Sequence, residues 1–416
     1  MTAPQDDRSP QTVAVVLTGA AARGAFQAGA LAELIPALER QGLLPSIWLG
    51  TSAGSINASL WGAALHQGAE VAAEEVVDVW RHMSDDNVYR SLLPFALART
   101  GLQYAMGAVL DRGPGTTSLL DTAPLQRTAH EALSTTQLAA NVAGGVLNAV
   151  GVATTRMPMD ADSDMVGAGS GRSVLFLDEA EPGDYAGDPS RALDVVRGPI
   201  AAEHVLASSA IPVAFPPIVI DAPPAAAGWY VDGGVRLNAP LQPAVAMGAD
   251  RVLLVSATQT TYGPPPAPSP PARTPDVDDA AAQVLNTVMA DRMVEDLANL
   301  RRINRLVAQA AEVGQHDLLC SGGGHPYRPV RVLDIAPPEG AMGHLAAEVF
   351  ARRTDGLGWL TENDNWLLGR LIRGGGDAVG RRELLSYLFF DEEYFAASID
   401  LGRAAARQAL ARGWGW

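Results

Sequence analysis

The chain has 416 residues, 48% of them hydrophobic and 18% charged, and a formal net charge of −16. That excess of acid disfavours nucleic acid, whose phosphates call for a basic face, and simple electrostatic docking on anionic lipid. All 30 basic residues are arginine, which excludes a Ser–Lys dyad, a lysine Schiff base and a Walker-type phosphate loop. The single cysteine, Cys320, supports neither a disulfide framework nor a cysteine metal cluster.

Met1 to Gln11 is polar and lacks the basic start and apolar centre of a signal peptide. The apolar stretch Leu92 to Leu110 is broken by Arg99, Gln103 and Gly107, so it does not read as a membrane span. It reads equally as a lid and as a core helix. A cytoplasmic chain is expected, with transient contact at a membrane surface.

Thr12 to Leu17 is a β-branched run of strand type. Leu31, Leu34, Ile35 and Leu38 then fall on one helical face that ends near Gly42. A second strand over Ser46 to Leu49 leads to a helix from Gly54 to Gln67. Strand, helix, strand, helix argues for a parallel sheet covered by helices. Further strands are expected at Leu147 to Thr155, Ser173 to Leu177, Trp229 to Val231 and Arg251 to Ser256, the last after a helical stretch through Ala246. Pro264 to Pro275 reads as a solvated linker. Beyond it the pattern is helical over Ala280 to Val313, Ala341 to Arg352 and Arg381 to Ala411, with one strand, Val330 to Ile335, rejoining the sheet. The expected division is a catalytic domain over 12–260, a Pro-rich connection over 261–279 and a helical region over 280–416.

Gly50-Thr51-Ser52-Ala53-Gly54 reads Gly-x-Ser-x-Gly directly after the second strand. That pattern suits a nucleophile elbow with Gly50 and Gly54 allowing strand and helix to approach, and it equally suits a small-residue turn opening a helix. Between the first strand and first helix stands Thr18-Gly19-Ala20-Ala21-Ala22-Arg23-Gly24. Unpaired amides at a helix N-terminus form an anion pocket. Aimed at a tetrahedral intermediate, such donors are worth roughly 3–4 kcal/mol each. A dinucleotide site fits less well, because the turn reads Gly-x-Ala-x-x-Gly and no acid ends the second strand. Asp232, followed by Gly233 and Gly234, ends a short strand where it could meet another loop, and Asp-Gly is also a hairpin turn.

Together these residues resemble the patatin-like phospholipase family. The resemblance extends to Leu120-x-x-x-Pro124-Leu125, to Ala207-Ser208-Ser209-Ala210-Ile211-Pro212 with Phe215-Pro216-Pro217, and to Asn238-Ala239-Pro240. It covers residues 12 to 256, and Leu384-Leu385-Ser386-Tyr387-Leu388 resembles a helix of bacterial members. It implies a three-layer α/β/α fold around a mostly parallel sheet. It also implies a lipid or phospholipid acyl hydrolase with a Ser52–Asp232 dyad, no cofactor and no metal. Gly233 and Gly234 support the acid, and the oxyanion hole falls on Gly19, Ala20, Ala21, Ala22, Arg23 and Gly24, with Arg23 at its rim. One departure is that the family has three glycines where this chain has Gly19-Ala20-Ala21. Alanine supplies the same amide, at a strain of roughly 1–2 kcal/mol where φ must be positive.

Two rival readings remain. A Ser–acid–His triad would draw on His325 or His344, which fit a Gly-rich loop and an ordinary amphipathic helix. A lipid-binding or interaction protein on the same scaffold would follow if the alanines disable the turn. Asp160, Asp162 and Asp164 alternate like a calcium loop, but Met165 and Gly171 stand where glycine and glutamate are required, so a solvated loop is expected. Gly413-Trp414-Gly415-Trp416 suits either a membrane interface or a packed tail. Oligomeric state is left open.

Overall fold

A computed structural model describes residues 11–84, 90–91, 120–121, 123–158, 171–212, 214–261, 263, 283, 287, 292–313, 327–354 and 379–415. Outside them lie Leu92 to Leu110, the Asp160–Asp164 loop, the Pro264–Pro275 segment, Cys320, His325 and Trp416.

The elements run β1 (Val13–Leu17), α1 (Gly24–Glu39), β2 (Ile47–Thr51), α2 (Ala53–Ala64), α3 (Ala69–Arg81), β3 (Arg90–Ser91), β4 (Leu120–Asp121), α4 (Ala123–Ala132), α5 (Thr135–Ala143), β5 (Ala149–Arg156) and β6 (Arg172–Glu179). They continue with β7 (Gly187–Asp188), β8 (Leu193–Arg197), α6 (Ala202–Ser208), β9 (Ile218–Ile220), β10 (Gly228–Asp232), α7 (Leu241–Ala246) and β11 (Arg251–Val255). Then follow α8 (Arg292–Glu312), β12 (Arg331–Ile335), α9 (Ala341–Thr354), α10 (Val379–Leu388) and α11 (Glu392–Arg412).

The main sheet has the order β12-β11-β1-β2-β5-β6-β8-β7. Its centre, from β12 to β5, is parallel; β6 turns antiparallel to β5, and β8 runs parallel to β6. In β1, Val15 and Leu17 join one core cluster, whereas Ala14 and Val16 join the other. A strand buried on both faces needs an unbroken apolar run, which is what residues 13–17 provide. The first cluster holds α1, α2, α3 and α11, and the second holds α7 and α8. This is the expected α/β/α sandwich with a mainly helical C-terminal region.

That region is joined tightly to the sheet domain. Helices α1 and α11 cross with backbones almost touching: a Cβ added at Gly29 would sit 2.1 Å from Ile399 O, and one at Gly402 would sit 2.1 Å from Phe26 O. The helical stretch over Arg381 to Ala411 is divided between two helices, α10 and α11. Asp391 breaks it by accepting the Tyr394 N–H at 2.9 Å as an N-cap, and Phe389 and Phe390 fill the core at the break. The strand over Val330 to Ile335 does rejoin the sheet, beside β11. Among the described residues no helix is long and apolar enough to cross a membrane.

Parallel connections bring the C-terminal ends of β1 and β2 side by side. Strand β10 runs antiparallel to β5 and ends with Asp232 opposite Thr154, close to the end of β2. The sheet edge thus gathers the first turn, Ser52 and Asp232.

Candidate active site

Ser52 adopts φ 54° and ψ −129°, a conformation that costs a non-glycine residue roughly 1–3 kcal/mol. The surroundings hold it there. The Ser52 amide donates to Ser208 Oγ at 2.8 Å, and that hydroxyl donates to Ala153 O at 2.6 Å. Ser55 N and Oγ both donate to Ser52 O, at 2.8 and 2.6 Å. The flanking glycines are needed for clearance. A Cβ at Gly50 would sit 2.2 Å from Gly54 O, and one at Gly54 would sit 2.6 Å from Leu17 O. The pentapeptide is therefore a strained, closely packed junction between strand and helix.

The Ser52 hydroxyl neighbours the Asp232 carboxylate closely enough to stabilise its charged form. Asp232 is 2% exposed, and Gly234 N donates to its Oδ1 at 2.6 Å. Burial pushes its pKa from 3.8 up to about 6, while Ser52 and the Gly234 amide pull it partly back. A carboxylate raised this far is still ionised at neutral pH and is a stronger base than an ordinary aspartate.

The model of the patatin-like phospholipase family matches residues 15–245, a span that contains Ser52 and Asp232. The chain belongs to this family. Lipid acyl-ester hydrolysis follows at family level. No curated protein matches the chain. Among solved structures it is similar to VipD from Legionella pneumophila, at 12% identity over 98% of this chain and 68% of that one, with a TM-score of 0.29. A similarity that loose carries no argument.

The family's glycine turn is altered here, and its geometry shows how. Gly19 N is consumed by Asn238, donating to Oδ1 at 3.0 Å and to the backbone oxygen at 3.2 Å. Arg23 N donates to Ala20 O, and Gly24 N to Ala21 O. Among the described residues, the amides of Ala20, Ala21 and Ala22 make no hydrogen bond. The donors left open are therefore three of the six residues expected to form the hole. Ala20 is accommodated at φ −143°, but Ala21 sits at φ 45°, where glycine is preferred.

The Arg23 side chain turns away from the rim position expected for it. It is buried, donates from Nε to Ser386 Oγ at 2.9 Å, pairs with Glu383, and lies 3.9 Å over the Tyr387 ring. It fastens the turn to α10. Beneath the turn, Gln27 Nε2 donates to Thr18 O at 2.9 Å, Asn57 Nδ2 to Gly24 O at 3.0 Å, and Trp80 Nε1 to Asn57 Oδ1 at 2.7 Å. Ser208, Gln27 and Asn57 were not singled out as supports of the site. Ser208 and Asn238 do stand in motifs that carry the resemblance.

His344 is exposed on α9, with its Nδ1 2.8 Å from Arg382 Nη1. The structure does not place it with Ser52 and Asp232.

Proposed function

We propose that the chain is a serine lipid acyl hydrolase, of phospholipase A or lysophospholipase type, working through Ser52 and Asp232. The observation that carries this reading is a buried carboxylate of raised pKa, Asp232, with the Ser52 hydroxyl as its neighbour. In a triad, a histidine would stand between serine and acid. Here the acid accepts the serine proton itself.

Asp232 takes the Ser52 proton as Oγ attacks the ester carbonyl. The carbonyl oxygen becomes an oxyanion, held by the open amides of Ala20, Ala21 and Ala22. Collapse of this intermediate breaks the bond to the alcohol, and the Asp232 carboxyl gives its proton to the departing oxygen. Water then attacks the acyl-enzyme, again losing a proton to Asp232, and the free fatty acid leaves as Ser52 is regenerated. The proposed catalytic unit is 12–260, joined through 261–279 to a helical region over 280–416. The proposed setting is cytoplasmic, with transient membrane contact during turnover.

Paired variants test the dyad. Asp232→Asn is expected to lower hydrolysis of a medium-chain ester by about 10²–10⁴-fold, with His344→Ala close to the parent. Retained activity in Asp232→Asn with loss in His344→Ala would establish the triad instead.

A further inference from the structure

A cavity of about 410 Å³ opens beside the site, within the size range of small-ligand pockets (roughly 300–1,000 Å³). Leu237 and Asn238 form one of its walls. The same two residues are bonded to the elbow and the first turn: Thr51 Oγ1 donates to Leu237 O at 2.9 Å, and Asn238 Oδ1 accepts from Gly19 N. A Cβ placed on Gly19 would lie 2.4 Å from Asn238 Oδ1 and 3.5 Å from Ser52 Cβ. Asn238 therefore borders both the cavity and the turn that packs beside Ser52.

Its charge runs against that of the whole chain. The lining holds three arginines against two carboxylates, in a chain of net charge −16. Arg191 is matched by Asp296 through bonds of 2.7 and 2.9 Å. Arg292 donates to Arg236 O at 3.1 Å, and Glu295 stands exposed on the rim. That leaves Arg236. Among the described residues its guanidinium pairs with no carboxylate, and its Nε is buried with no hydrogen-bond partner. The Nη atoms of Arg236 make no hydrogen bond among the described residues and stay accessible, and guanidinium donors suit phosphate oxygens. One surplus positive charge matches one negative charge on the ligand.

We infer that this cavity receives the phosphodiester of a phospholipid head group, with Arg236 as the contact that selects it. The inference rests on the Ser52–Asp232 reading for the ester it places beside the cavity, but binding can be read without catalysis.

Calorimetric titration of glycerophosphocholine into the full chain is expected to show binding that weakens at least tenfold in Arg236→Gln. Arg236→Lys, which keeps the charge, should fall between. In kinetics, the kcat/KM ratio of lysophosphatidylcholine over a monoacylglycerol of equal chain length is expected to drop at least tenfold in Arg236→Gln, mainly through KM. Thermal unfolding of each variant verifies that it is folded. Equal titration of parent and Arg236→Gln, or an unmoved ratio, would overturn the assignment. Inorganic phosphate binding more tightly than glycerophosphocholine would also overturn it, in favour of a free-anion site. If the parent hydrolyses neither ester, the hydrolase reading fails while the titration still decides the cavity.

Discussion

Replacing Asp232 by asparagine separates catalysis from stability in one variant. Asparagine keeps an oxygen for the Gly234 N–H and presents an NH2 to Ser52 Oγ, so the shape of the site is preserved. The folded chain holds the Asp232 proton with a pKa of about 6, against the ordinary 3.8. That difference is worth about 3 kcal/mol. The native state binds this proton more tightly than the unfolded chain does. Its stabilising contribution is therefore complete below about pH 4 and lost as pH rises through 6. An asparagine has no such dependence. The stability of Asp232→Asn relative to the parent should thus climb by about 2.5 kcal/mol between pH 4 and pH 8. Urea unfolding followed by tryptophan fluorescence reads this directly, since Trp48, Trp61 and Trp80 are all buried. Activity should fall by about 10²–10⁴-fold, the contribution of a general base, and the parent's kcat/KM should lose activity below about pH 6. A stability difference that stays flat with pH would refute the claim that burial burdens this carboxylate.

Three further outcomes follow from the same geometry. Ala21→Gly should stabilise the fold by about 0.5–1 kcal/mol in urea unfolding, with kcat at least equal to the parent's, because Ala21 sits at φ 45°; a loss of stability would contradict the strain. Ser208→Ala leaves the Ser52 amide without its acceptor and should cost about 1–3 kcal/mol while lowering kcat, measured by unfolding and ester hydrolysis together; an unaltered kcat would show that the elbow does not depend on this bond. Arg23→Gln strips the buried partner from Glu383 and should cost about 3–5 kcal/mol; Glu383→Gln should suppress much of that cost in the double variant, and additive losses would deny the pairing.

The α/β frame was legible because β1, β2, β5 and β11 are buried on both faces and so read as apolar runs. Strands β8 and β9 were not. Leu193-Asp194-Val195-Val196-Arg197 is broken by Asp194 and Arg197 at an outer position of the sheet, and Ile218 to Ile220 is three residues long between prolines. Helix α3 lies outside the expected helices although Ala72, Ala73, Val76, Val77 and Trp80 bury one face at helical spacing. Ser52 and Asp232 could be nominated from glycine-flanked turns, yet their proximity is a product of β10 pairing with β5 beside the end of β2. The site's supports were harder to foresee. Asn238 consumes an amide expected to serve the oxyanion hole, and Arg23 faces α10, more than 350 positions away in sequence. Spacing records neither relation, since each arises from packing between distant segments.

The central claim is that Ser52 is a nucleophile activated by Asp232. A fluorophosphonate probe followed by peptide mass spectrometry tests it most directly. The account predicts a single adduct on Ser52 in the parent chain, absent in Ser52→Ala and strongly slowed in Asp232→Asn. A well-folded parent that takes no label, or takes it elsewhere, would contradict it.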